Sequence, residues 1–199
     1  MGRGWSTQVT RQIGEHLVVA ELGRRLNLIG APFAGNVPHF DLLAADKQGR
    51  SIPIQVKAIN GPSWQFDIRD FLSVEVIDGV QHVRGKVQMP MPDLVCVFVL
   101  LHPAGDDEFY IFRMRDLQEH FAATYHGGRR RRNPESMHCA VWPAELQQHR
   151  DQWDVVCEAL SSAPSVAGSH ANASNHGPVE RAHSSDRVAD PERSDGRGE

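Results

Sequence analysis

Three polar residues have the types and spacing for chemistry on an anion: Asp41, Gln55 and Lys57. A carboxylate and a carboxamide oxygen are hard donors of the kind Mg²⁺ takes while keeping several waters. An ammonium beside them can orient or activate a water and stabilise negative charge that builds in a transition state. The lysine is also a rarity here, since of 21 basic residues only Lys47, Lys57 and Lys86 are Lys and 18 are Arg. Lysine shifts its pKa when buried, whereas arginine does not usefully give up a proton. A lysine near an aspartate in an arginine-rich chain therefore points to proton chemistry.

The stretch 40–58 must position these groups, and it has the pattern of a β-hairpin. Two alternating runs flank residues 46–50, with Gly49 where a hairpin loop needs positive φ. With Lys47-Gln48-Gly49 as the loop, Asp46 faces Arg50, Asp41 faces Gln55 and His39 faces Lys57. Side chains alternate along a strand. Phe40, Leu42, Ala44, Ile52, Ile54, Val56 and Ala58 then form an apolar face, and Asp41, Gln55 and Lys57 share the other. A one-residue slip would exchange the two faces, so the clean apolar set fixes the register.

Asp41, thirteen residues, then Gln55-Val56-Lys57 resembles the signature of the PD-(D/E)XK nuclease superfamily, in the variant with Gln for the second acidic residue. That variant is similar to what occurs in Mrr-type restriction endonucleases. The resemblance spans roughly residues 8–113 and implies a restriction-endonuclease-like α/β domain. It also implies a metal site of Asp41, Gln55 and the Val56 carbonyl, with Lys57 acting on the water. The family places an acidic residue on the preceding helix, a position that Glu15 matches and from which it would reach the metal through water. Phe40 stands where the family commonly has Pro, and neutral Gln55 leaves the site one negative charge short. Mg²⁺ or Mn²⁺ is the implied cofactor, weakly held, and DNA the implied partner, with a homodimer compatible with this reading.

The flanking sequence supplies the rest of such a domain. Ser6 or Thr7 caps a helix over 7–26, in which Glu15 shares a stripe with Val19, Leu22 and Leu26 while Glu21 points roughly 120° away. Strands are expected at 28–33, 64–68, 71–77, 80–87, 94–101 and 108–114, with Asp78-Gly79 as a hairpin turn. Residues 94–101 are continuously apolar, as in a strand buried on both faces. Helices are expected at 116–125 and, bent near Arg150, at 143–160. The expectation is a mixed sheet with helix 7–26 on one side and the C-terminal helices on the other. Trp64 is placed in the core.

Arg129, Arg130, Arg131 and Arg132 form a second functional candidate, a loop suited to phosphate contacts. The net charge of −4 does not advertise nucleic-acid binding, so positive charge must act locally. Cys96, Cys139 and Cys157 make neither a disulfide framework nor a zinc ribbon, which fits reduced thiols and a cytoplasmic protein. No apolar run approaches the length of a membrane span. Residues 1–160 are expected to form the nuclease-like domain. Residues 161–199, poor in apolar side chains, are expected to form a disordered tail. Metal-dependent DNA cleavage, in restriction, repair or mobile-element defence, is the expected function. The alternatives are a weakly active or inactive nucleic-acid-binding member of the same fold, and a protein–protein adaptor whose polar face is only solvated.

Overall fold

The computed structural model describes residues 6–33, 38–129 and 133–164. In chain order the elements are α1 (Thr7–Leu26), β1 (Ile29–Pro32), β2 (Leu42–Ala45), β3 (Ser51–Ile59), β4 (Trp64–Asp67), β5 (Leu72–Ile77), β6 (Val80–Lys86), β7 (Val95–Leu100), β8 (Glu108–Arg113), α2 (Met114–Thr124), β9 (His138–Val141) and α3 (Asp154–Ser161). Short 3-10 turns occupy Ile68–Asp70 and Pro143–His149. No helix among the described residues is long and apolar enough to cross a membrane.

Five strands form the central sheet in the order β1-β2-β3-β7-β8. It is mixed: β3 and β7 run parallel, and the other pairs are antiparallel. The α/β architecture, a mixed sheet flanked by helices, is the one the sequence led us to expect. The hairpin register also holds, with Leu42 opposite Ile54 and Ala45 opposite Ser51. Asp46 N–H donates to the Arg50 carbonyl at 3.0 Å, and Gly49 sits at φ 77°.

Alternation along the strands divides the interior into two cores. On one face Leu42, Ile54, Val56, Val97 and Ile111 pack against Val18 and Leu22 of α1 and against Trp153, Val156 and Leu160. On the other, Cys96, Phe98 and Phe112 pack against Phe66, Phe71, Leu117, Phe121 and Leu146. So α3 lies on the same face as α1, and α2 with the Pro143–His149 turn covers the other. This corrects the expectation that all C-terminal helices lie opposite α1. Apolar spacing alone shows which stripe of a helix is buried, not which face of a sheet it meets.

Ser6 caps α1, its hydroxyl accepting the Val9 N–H at 3.4 Å, and Asn27 closes it in the left-handed region. The helix lies unusually close to β3. A Cβ added at Gly14 would come within 2.4 Å of the Ala58 Cβ, so only glycine permits this approach. Glu21 is buried, and its carboxylate is neutralised by Arg24 and by Arg25 at 2.6 Å.

Two further expectations change. Residues 143–160 are not one bent helix. Arg150 forms a bridge with Tyr110 and the Asp151 N–H donates to the Phe109 carbonyl at 2.9 Å, so the backbone joins the β8 edge, with Asp151 at φ 55°. The sequence also showed no strand at 138–141. Strand β9 exists because it pairs with β4, from Asp67 with His138 to Trp64 with Val141, a pairing distant in the chain that periodicity does not register. Trp64 is buried, and its indole N–H donates to the Lys57 carbonyl at 2.9 Å. Chain packing continues to Ala163 on the α3 side, and residues 165–199 of the expected tail lie outside the described residues.

Candidate active site

The β2–β3 ladder stops one residue short of Asp41. Its last pair is Leu42 with Ile54, and the chain before it turns at His39, which has φ 76°. Asp41 and His39 are therefore not ladder partners of Gln55 and Lys57, contrary to the extended register expected from sequence. The aspartate stays beside β3 through two bonds of its own, the first from its N–H to the Ile54 carbonyl at 2.9 Å. Its Oδ2 accepts the Val56 N–H at 2.8 Å, occupying the hydrogen bond that β2 would have made had it continued. Asp41, Gln55, Val56 and Lys57 line one depression, together with Arg11.

Glu15 reaches the same place from α1. Arg11, one turn earlier on that helix, donates Nε to Glu15 Oε1 and Nη2 to Asp41 Oδ1, each at 2.8 Å. The two carboxylates are thus aimed at one cationic group. Their side chains are only 14% and 11% exposed, whereas that of Arg11 is 53% exposed. The carboxylates are largely enclosed by the fold, and the guanidinium between them faces solvent. Hydrogen bonding to Glu15 and the charge of Asp41 raise the Arg11 pKa above its ordinary value, while its partial burial opposes them.

Lys57 sits differently from a surface lysine. Its register partner on β7 is Phe98, and its Nζ lies 4.5 Å from the centroid of the Phe66 ring. Burial lowers the Lys57 pKa below the ordinary lysine value, with Asp70 and then Asp41 pulling it back up. Among the described residues its ammonium makes no hydrogen bond or ion pair, and the Gln55 carboxamide makes none either. Three depressions meet at Lys57: the one holding Asp41, a second beside Asp70 and residues 135–138, and a third that runs under Met89 and Met91.

The donor set suits a hard divalent cation in kind. Glu15 and Asp41 each present a carboxylate oxygen to one cation, and Gln55 offers an unpaired amide oxygen nearby. Among the described residues no three acidic, histidine or cysteine side chains cluster at one point. Two carboxylates and a neutral amide make a sparse set.

Gln81 of β6 anchors the described residues that flank positions 130–132. Gln81 is buried and exchanges backbone hydrogen bonds with Gly128 at 2.9 and 3.1 Å. Its side chain donates to the Pro134 and Ser136 carbonyls, both at 2.8 Å, and accepts from the Tyr125 hydroxyl at 2.6 Å. Both ends of the loop are thus tied to β6, and residues 135–138 continue into the wall beside Lys57. Arg129 donates Nη2 to the Asp78 carbonyl at 3.5 Å. Arg130, Arg131 and Arg132 lie outside the described residues.

Sequence reasoning missed Arg11 and Asp70. Arg11 had a visible signal, since it stands four residues before Glu15 and hence on the same helix face. Asp70 had none, because it reaches Lys57 only through the packing of the Ile68–Asp70 turn.

No family model matches this chain, and no curated protein matches it. Among solved structures it is similar to a bacterial homing endonuclease, I-Ssp6803I. The identity is 13% and the TM-score 0.45, over 79% of this chain and 97% of that one. Any functional reading therefore rests on the geometry just described.

Proposed function

We propose that this protein is a metal-dependent nuclease that hydrolyses DNA phosphodiester bonds, with Asp41, Glu15, Gln55 and Lys57 as its working residues. The observation that carries the reading is the convergence of Asp41, Gln55 and Lys57 in one depression, with the Glu15 carboxylate brought to the same cation as Asp41. Asp41, Glu15, the Gln55 amide oxygen and the Val56 carbonyl would hold Mg²⁺ or Mn²⁺ once Arg11 turns outward. Such an ion supplies charge neutralisation at the phosphate and a more acidic water.

The chain's own residues do the rest. Lys57, whose pKa burial lowers, can in its neutral form accept the proton of a water hydrogen-bonded to Nζ. The ammonium so formed lies beside the phosphate as charge builds on its oxygens, where it is worth more than in bulk water. Asp41 is held by the Val56 N–H, so its second oxygen stays aimed at the cation. The anchored arginine loop is suited to gripping backbone phosphates away from the point of attack. Restriction, repair and mobile-element defence are the settings that such an activity serves.

A second reading has its own support. Arg11 already neutralises both carboxylates, and Gln55 withholds a charge. A nucleic-acid-binding protein of this fold with little or no cleavage would look like this too. One experiment separates the two. Purified protein is incubated with supercoiled, linear, single-stranded and branched DNA in Mg²⁺, Mn²⁺ or EDTA. Cleavage with either metal and none in EDTA supports the nuclease. Retention of DNA without cleavage under every condition supports the binding protein.

A further inference from the structure

The depression under Met89 and Met91 is not needed for phosphate chemistry, and its walls have a different character. It has a volume of about 380 Å³, near the lower end of small-molecule sites at roughly 300 Å³. Phe71, Met89, Met91, Leu94 and Met114 form its apolar walls. Its polar lining is His39, Gln55, Lys57 and Asp70. Among the described residues none of these four side chains hydrogen-bonds to protein, so donors and acceptors are left for something else. Methionine side chains are flexible and polarizable, and they adapt to flat rings of differing outline.

A group with an anionic end at Lys57 and a flat apolar body with polar edges would satisfy this pocket. We propose that it receives one unpaired nucleobase, that of the nucleotide adjoining the phosphate held at Lys57. The proposal rests on the nuclease reading above and sharpens it by naming the substrate class. A paired base cannot reach the pocket, because entry requires it to leave the stack and its partner. The nucleic acid cleaved fastest is therefore one with an unpaired nucleotide at the reacting phosphate, such as a single strand, a flap or a mismatch, because a paired base must first be unstacked at a cost of a few kcal/mol. The Gln55 carboxamide offers both a donor and an acceptor to a base edge, and Asp70 an acceptor.

The chain carries its own reporters. Of its five methionines, Met89, Met91 and Met114 line the pocket, while Met137 lines the neighbouring depression and serves as an internal control. Protein labelled with ¹³C at the methionine methyls is titrated with thymidine 5′-monophosphate, deoxyadenosine 5′-monophosphate and deoxyribose 5-phosphate. The nucleotides should bind about tenfold more tightly than the sugar phosphate, the gain that stacking of one base brings. They alone should shift the Met89, Met91 and Met114 signals. Met89→Trp, which fills the pocket, should erase the tenfold difference and leave sugar-phosphate binding intact. Met89→Leu, the folded control, should preserve the difference.

Equal affinity for nucleotide and sugar phosphate, with both lost in Lys57→Ala and the pocket methyls unmoved, overturns the base pocket and leaves the phosphate site standing. Pocket methyls that shift equally in Lys57→Ala support the pocket and overturn the phosphate role of Lys57.

Discussion

At the scale of single residues the account turns on what burial does to Lys57. Its pKa is lowered in the fold, whereas in the unfolded chain it is near 10.4. Between the lowered value and about 10.4 the unfolded state binds more protons, so stability rises with pH across that window. Below the window the charged lysine is a cost to the fold. Lys57→Met should therefore be more stable than the natural chain at neutral pH, with the advantage shrinking as the pH climbs towards 10. Urea midpoints of both proteins from pH 6 to pH 10 give the answer, and a constant difference would mean that Lys57 is not desolvated. Arg11 offers the matching test at the carboxylates. Arg11→Gln removes the competing cation and should tighten Mg²⁺ or Mn²⁺ binding about fivefold, the upper range for a partly exposed ion pair of ~1 kcal/mol. Asp41→Ala should weaken it, and Gln55→Glu should strengthen it, all read by calorimetric titration. That Gln55 and Lys57 share a face of β3 was legible from alternation, whereas Asp41 comes beside them through its bond to the Val56 N–H rather than through the extended register. The Arg11 bridge was not legible, since it depends on how deep α1 sits on the sheet.

At the scale of elements, that depth is set by Gly14. Its Cβ would meet Ala58 at 2.4 Å, and Ala58 is on a central strand that cannot yield. Gly14→Ala should cost roughly 1–3 kcal/mol by overpacking, against about 1 kcal/mol gained in helix propensity. It should also lift Glu15 away from Asp41, so metal affinity and stability fall together. Gly23 on the same helix has nothing nearer than the Leu28 carbonyl at 3.7 Å, and Gly23→Ala should stabilise or leave the fold unchanged. Thermal melts of the two variants compare the cases directly; equal melting temperatures would deny the close approach. The hairpin at Asp78-Gly79 was readable from its dipeptide, and both residues do take positive φ. Strand β9 and the break at Arg150 were not readable, because each is made by pairing with a distant strand rather than by its own spacing.

At the scale of the whole molecule, a net charge of −4 means that DNA is not drawn in by the surface at large. If the loop clamped by Gln81 carries the phosphate contacts, replacing Arg129, Arg130, Arg131 and Arg132 by Ser should weaken binding to all duplex sequences alike. Each lost contact should reduce the log–log salt slope by about 0.9, and an unchanged slope would remove the loop from the interface. The layered architecture could be read from apolar periodicity, but the assignment of α3 to the α1 face could not. The nuclease reading depends on Lys57 acting at a phosphate. The most direct test is nicking of supercoiled plasmid in Mg²⁺ and Mn²⁺ by the natural chain and by Lys57→Ala, on preparations matched for melting temperature and metal binding. The account predicts that the natural chain nicks and that Lys57→Ala does not, though it still binds metal. Nicking by Lys57→Ala at the rate of the natural chain would contradict it.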